Sequence, residues 1–387
     1  MEREAAISAA LLNNPDYRAA TEDSMSAIYA ARAAKSDFLP EISLSYSTRN
    51  IETEVFTKSN QAVLSAGYNL FRGFRSYAGM RREKFRHLSV AEAERQARLA
   101  TERDVNIAYQ AVLRAEYILT SSQTLLEASE LVLAEAEVRQ GLDIITRADL
   151  YKARADRERA YSRVLDAGMD YTGAILHLSR LMGLNIAEET EFNHERRVYE
   201  LLPLEDYLER ARSGSSAIRI SEHNFNVAKA SYQASLGSFL PVVDLSASTG
   251  WYEEGTREYN SHSIGISATW NLFSGFYDTN MALSAARAVD SSRFNMSSKR
   301  ADVLQQVQVA WLGAKTGREK VLSAEAYVAA AEESYIATQE MFRLGRATLK
   351  ETIDERAVLE DAQAALADAL YVLVQRHEEL AFLTGAH

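Results

Sequence analysis

The chain has no cysteine, and only 4 prolines and 17 glycines are spread over its 387 residues. Without cysteine there are no structural disulfides, no thiolate metal sites, no cysteine nucleophile and no lipidated N-terminal cysteine. So little proline and glycine leaves room for very long uninterrupted helices. No apolar run is long enough for a transmembrane helix. The opening MEREAAISAALLNNPDYRAA lacks the basic and apolar regions of a signal peptide, so an exported form is expected to be a mature chain starting on a new Met1.

Positive charge is also short. The 43 Lys and Arg stand against 54 Asp and Glu, a net charge of -11, with no basic block. That balance argues against nucleic acid or an anionic membrane surface as partner. The seven histidines, among them His87, His223 and His387, show no metal-ligand spacing, and P-loop, dinucleotide and G-x-S-x-G motifs are missing. Charged stretches such as AEAERQAR and KARADRER read as solvated helix faces. Neither catalysis nor a cofactor is expected.

What is present is a repeat. YNLFRGF, Tyr68 to Phe74, returns as WNLFSGF, Trp270 to Phe276. Phe38-Leu39-Pro40 returns as Phe239-Leu240-Pro241, and Leu181-Met182-Gly183 as Leu383-Thr384-Gly385, at offsets of 201 or 202. A period that long indicates a duplicated unit and not a solenoid. The expected division is a first repeat over 1–184 (helix, two strands, long helix, return helix), a linker over 185–215 and a second repeat over 216–387.

Each half opens with an alanine-rich helical pattern, 3–37 and 216–237, stopped by its Phe-Leu-Pro. Strict alternation follows. Ile42, Leu44 and Tyr46, then Leu64, Ala66, Tyr68 and Leu70, face away from Ser, Gly and Asn; Val243, Leu245, Ala247, Thr249 and Trp251, then Ile264, Ile266, Ala268, Trp270 and Leu272, repeat the pattern. Four strands of membrane-spanning length, one face apolar and the other small and polar, result. Four strands do not close a barrel, whose minimum is about eight, so membrane strands would have to be shared among several chains.

After each NLF-x-GF the helical pattern runs on, from Ser76 to Gln140 in the first half, with an apolar seam at alternating three- and four-residue steps. The seam Val105, Ala108, Val112, Ala115, Leu119 and Ser122 has its counterpart at Val307, Ala310, Ala314, Gly317, Val321 and Ala324. This is coiled-coil spacing, and its small residues suit close antiparallel packing. Gly141 and Gly345 are expected to supply left-handed caps at two tip turns, after which helices return over 146–182 and 350–383.

In this order and duplication, Asn14-Pro15, the paired Phe-Leu-Pro, the paired NLF-x-GF, the glycine tips and the closing Leu-x-x-Leu-x-Gly resemble the TolC-like outer-membrane factor family. The resemblance implies a mixed α and β membrane protein: a homotrimer with one shared 12-stranded β-barrel in outer-membrane lipid and a long antiparallel coiled-coil helical barrel across the periplasm. It implies a passive exit duct of a tripartite efflux or type I secretion system, partnered by a periplasmic adaptor and an inner-membrane pump or ABC exporter. The alternative is a helical coiled-coil scaffold without a pore.

The resemblance also implies sites. Tyr68, Phe71, Phe74, Trp270, Phe273 and Phe276 would form an aromatic girdle at the strand-to-helix junction. Glu351 and Asp354, with Arg343 and Arg346 close by, would line a constricted periplasmic aperture, binding cations or held by arginines. The chain departs from the family pattern at Phe342, where many members have Tyr, at Arg346, an arginine often found one position later, and at Arg147, often an acid. A hydroxyl latch is therefore not carried over; an arginine–carboxylate latch stays open.

Overall fold

The computed structural model describes residues 1–52, 56–187, 190–194 and 200–385; His387 and part of the expected linker lie outside the described residues. The chain forms two compact units, one of residues 20–94 and 216–301 and the other of residues 1–19, 95–215 and 302–387.

Asn14-Pro15 decides how the chain starts. The Pro15 ring disfavours helical backbone at Asn14, whose ψ is 121°, so the single helix expected over 3–37 is two, α1 (Arg3–Asn13) and α2 (Pro15–Ala33). Asn14 Oδ1 caps α2 by accepting from the N–H groups of Asp16 and Tyr17, and its Nδ2 donates to the Leu181 carbonyl at 2.8 Å.

The first unit holds the sheet, whose four antiparallel strands β1 (Glu41–Glu52), β2 (Phe56–Arg72), β3 (Val242–Glu254) and β4 (Arg257–Thr269) lie in the order β1-β2-β3-β4. Ile42, Ala66, Ala247 and Ile264 stand opposite one another in a single cross-strand row, and Tyr68, Leu245 and Ile266 in the next. The apolar positions of all four strands thus share one face, and Ile42 and Ile266 are each 70% exposed on it.

Two strand positions differ from expectation. A bulge between Asn69 and Phe71 makes Leu70 the extra residue and sets Phe71 opposite Val243, so Phe71 takes the apolar-face place expected for Leu70. β4 stops at Thr269, opposite the first residue of β3, and Trp270 and Leu272 lie beyond the strand because no strand pairs with them among the described residues.

The helices are α3 (Arg75–Gly141), α4 (Arg147–Met182), α5 (Leu204–Gly214), α6 (Ser216–Leu236), α7 (Tyr277–Arg343) and α8 (Leu349–Thr384). α3 and α7 are 67 residues each, about 100 Å at a helical rise. Their seam residues Val105, Ala108, Val112, Val307, Ala310 and Ala314 are buried. α5 follows α1 at an offset of 201, and Ser215 breaks α5 from α6 as Asn14 breaks α1 from α2. The repeat therefore reaches into the stretch expected to be linker. In the second unit, α4 and α8 both end on a left-handed glycine, Gly183 at φ 64° and Gly385 at φ 68°. A Cβ at either would lie within 2.7 Å of a backbone oxygen, that of Asn13 or of Gly214, so the ends of α1 and α5 close against them.

Candidate functional site: strand-to-helix junctions and helical tips

The duplicated phrase is a device for turning a strand into a helix. Gly73 and Phe74 are both left-handed, at φ 59° and 63°, and so are Gly275 and Phe276, at 61° and 65°. A left-handed phenylalanine costs about 1–3 kcal/mol. In both copies the earlier phenylalanine supports it: Phe71 meets Phe74, and Phe273 meets Phe276, edge to face at 5.3 Å, a contact that returns roughly 0.5–1.5 kcal/mol. Gly73 also packs backbone to backbone on Gly237, where a Cβ on either would lie 2.4 Å from the other's carbonyl oxygen. Among the expected girdle residues, Tyr68, Phe74, Trp270, Phe273 and Phe276 are exposed and Phe71 is half-buried. The Trp270 indole N–H donates to the Phe239 carbonyl at 3.0 Å, leaving an apolar body with its one polar atom satisfied.

The helical tips, in the other unit, are also built twice. At the first, Asp143 N–H donates to the Gln140 carbonyl and Ile144 N–H to that of Arg139; at the second, Gly345 N–H donates to Phe342 and Arg346 N–H to Met341. The positions correspond at an offset of 202. Gly141 was expected to take the left-handed conformation, but it is the last residue of α3, and Asp143 takes it, at φ 57°, as Gly345 does at 72°. Aspartate tolerates that region better than most residues, and the helix runs through Gly141 because Val132 and Ala136 keep α3 packed against Phe342 and Leu349.

Each return helix then starts with a capping box. Thr146 accepts from the Asp149 N–H while the Asp149 carboxylate accepts from the Thr146 N–H, and Thr348 and Glu351 do the same. The Thr146 hydroxyl and Lys152 hold Asp149 below the usual carboxylate range, and the Thr348 N–H and hydroxyl hold Glu351 below it. Glu351 is thus both an exposed acid and a helix cap.

The other expected aperture residues are placed as follows. Asp354 pairs with Lys350 one turn earlier, and Arg343 pairs with Glu340 at 2.9 Å. Arg343 and Arg346 bond neither Glu351 nor Asp354 among the described residues. Phe342, where a hydroxyl was missed, is buried, with the Arg139 guanidinium stacked 4.3 Å above its ring and donating to its carbonyl at 3.0 Å. Arg139 therefore neutralises the carbonyl end of α7. The T-x-x-D and T-x-x-E patterns would have revealed the capping boxes; no local pattern points to Arg139.

The outer membrane efflux protein family model matches residues 6–184 and again 207–386. The alkaline protease secretion protein AprF of Pseudomonas aeruginosa is 22% identical over 403 residues, covering 97% of this chain and 82% of the relative. The outer membrane protein TolC of Escherichia coli is 20% identical, covering 94% and 78%. In structure, the CmeC outer membrane channel of Campylobacter jejuni superposes with a TM-score of 0.90 at 15% identity, covering 99% of this chain and 85% of the other. The chain therefore belongs to the outer membrane efflux protein family, as an outer-membrane exit duct of the efflux and type I secretion kind that extends into the periplasm, and it is not an enzyme.

Proposed function

We propose that three copies of the chain close one barrel of twelve strands and continue it as a helical duct, through which cargo handed over by an inner-membrane pump or ABC exporter passes without further energy input. The observation that carries this is the sheet: an apolar row is exposed across all four strands, and the outer edges of β1 and β4 have no partner among the described residues. An unpaired edge in lipid is costly, and closure across subunits removes it. α4 adds a second exposed stripe, Leu165, Met169 and Leu176 on one side, as a helix does when its neighbour belongs to another copy. A pore-less scaffold has no use for a lipid-facing row.

The duct is gated at its helical tips, which a periplasmic adaptor engages. Glu351 and Asp354 lie in the first turns of α8, exposed, and three copies bring six carboxylates to one mouth. Since Arg343 is engaged by Glu340 in its own helix, an arginine–carboxylate latch would be made between protomers. The junction aromatics lie at the inner interface of the bilayer. Light scattering of the detergent-solubilised protein tests the assembly: the trimer mass is expected, and a monodisperse monomer in plain buffer would overturn the reading.

A further inference from the structure

We infer that the bare edge of β4 pairs with the bare edge of β1 in a second copy of this chain in one defined register: Thr269 opposite Ser45 of the partner subunit, Trp270 opposite Leu44 of the partner subunit and Asn271 opposite Ser43 of the partner subunit. The inference rests on the trimer proposed above and specifies its seam residue by residue.

The two hairpins are equivalent pair by pair. When β1 positions are advanced by 201 and β2 positions by 202, Glu41–Gly67 becomes Val242–Thr269, Thr48–Asn60 becomes Thr249–His262 and Ile51–Thr57 becomes Tyr252–Tyr259, all of them observed β3–β4 pairs. The extra residue of the second half falls in its hairpin loop. The β2–β3 contact therefore records how the second strand of one hairpin meets the first strand of the next. In a closed ring of such hairpins, β4 meets the next copy's β1 in the same way.

Applied to that seam, the offsets turn Gly67–Ser246 into Thr269 with Ser45 of the partner subunit, Tyr68–Leu245 into Trp270 with Leu44 of the partner subunit, and Asn69–Asp244 into Asn271 with Ser43 of the partner subunit. Faces agree throughout: Trp270 and Leu44 continue the apolar row, and the other two pairs join polar to polar. A slip of one residue would set each apolar side chain against the polar face. The ends of the strands fit as well. β2 runs to Arg72 because Val242, Val243 and Asp244 pair with it, whereas β4 stops opposite Val242, the first residue of β3, and residues 270–274 have no strand partner among the described residues. Gly73 is closed by Gly237, while its counterpart Gly275 faces open space. Ser36 stands where Gly237 would be and carries a Cβ, so the glycine-to-glycine contact of the first junction is not repeated across the seam.

The cysteine-free chain allows a clean test. Full-length protein in outer membranes carries Thr269→Cys with Ser45→Cys, or Asn271→Cys with Ser43→Cys, and is oxidised and run on non-reducing gels. Opposed Cα atoms in an antiparallel pair are about 4.5–5.5 Å apart, inside the disulfide range. Slipped controls, Thr269→Cys with Ser47→Cys or with Ser43→Cys, keep the face but separate the Cα atoms by about 8 Å. Covalent dimers and trimers from the matched pairs, at least about tenfold in excess over the slipped pairs, are expected. Slipped pairs that cross-link as well or better, or a trimer by mass in which neither matched pair cross-links, would overturn the register and leave the trimer standing. A protein that is monomeric by mass would overturn both.

Discussion

Arg356 of α8 and Asp156 of α4 form a buried ion pair, their side chains 9% and 7% exposed. The same guanidinium donates to the Leu125 carbonyl of α3 at 3.2 Å, so one side chain ties three helices together. Burial pushes the Asp156 carboxyl above its usual range, against the pull of Arg356, Arg159 and Arg163. Desolvation is thus the larger effect, and the pair adds little beyond what apolar packing would. Removing one partner is another matter: Arg356→Ala is expected to cost about 3–5 kcal/mol, whereas Arg356→Met with Asp156→Leu is nearly neutral. Thermal unfolding followed by helical circular dichroism distinguishes these outcomes, and equal losses in both variants would contradict the account.

The capping boxes make the tips acid-sensitive in one direction. Asp149 and Glu351 have lowered pKa values in the folded chain, so their contribution is fully present above the unfolded value and is lost as pH falls through the folded one. Hydrogen exchange at the Thr146 and Thr348 amides, which donate to those carboxylates, corrected for the intrinsic rate, should stay protected through the ordinary carboxylate range and open only below it. Opening already near neutrality would exclude the caps as its cause.

Charge at the tip separates from capping because a glutamine also completes the box. Glu351→Gln with Asp354→Asn is expected to reduce the cation preference of the trimer in planar bilayers while the second tip stays ordered, since a ring of carboxylates in a narrow mouth concentrates cations. If those acids also hold a latch between protomers, conductance rises in the same variant. A native channel without cation preference, or a variant matching it in both quantities, would mean that these acids only face solvent.

Neighbouring positions on β4 should respond oppositely to charge. Ile266 belongs to the apolar row opposite Leu245, and Ser267 to the other face opposite Asp244. Ile266→Arg is expected to impair membrane assembly by roughly 2–4 kcal/mol near the midplane, with Ser267→Arg tolerated. Heat-dependent gel mobility of membrane fractions reports assembly, and similar losses at both positions would reverse the assignment of faces.

Sequence alone determined the duplication, the order of the strands and the long helices, the faces of the strands and the coiled-coil seam. Each is a periodicity carried by neighbours in the chain, two residues for Ile264 and Ile266, three or four for Val105, Ala108 and Val112, so no distant contact is needed to read it. Tertiary structure decided the rest. The first tip turns at Asp143 and not at the more permissive Gly141, because packing around Phe342 sets where α3 ends. Leu70 leaves the apolar row because β3 imposes a bulge on β2, and β4 ends at Thr269 because β3 supplies no further partner. Arg139 on Phe342 and Arg356 with Asp156 join residues roughly two hundred positions apart. A charged side chain on a helix reads as solvated until another helix covers it, and only the folded chain brings that helix there.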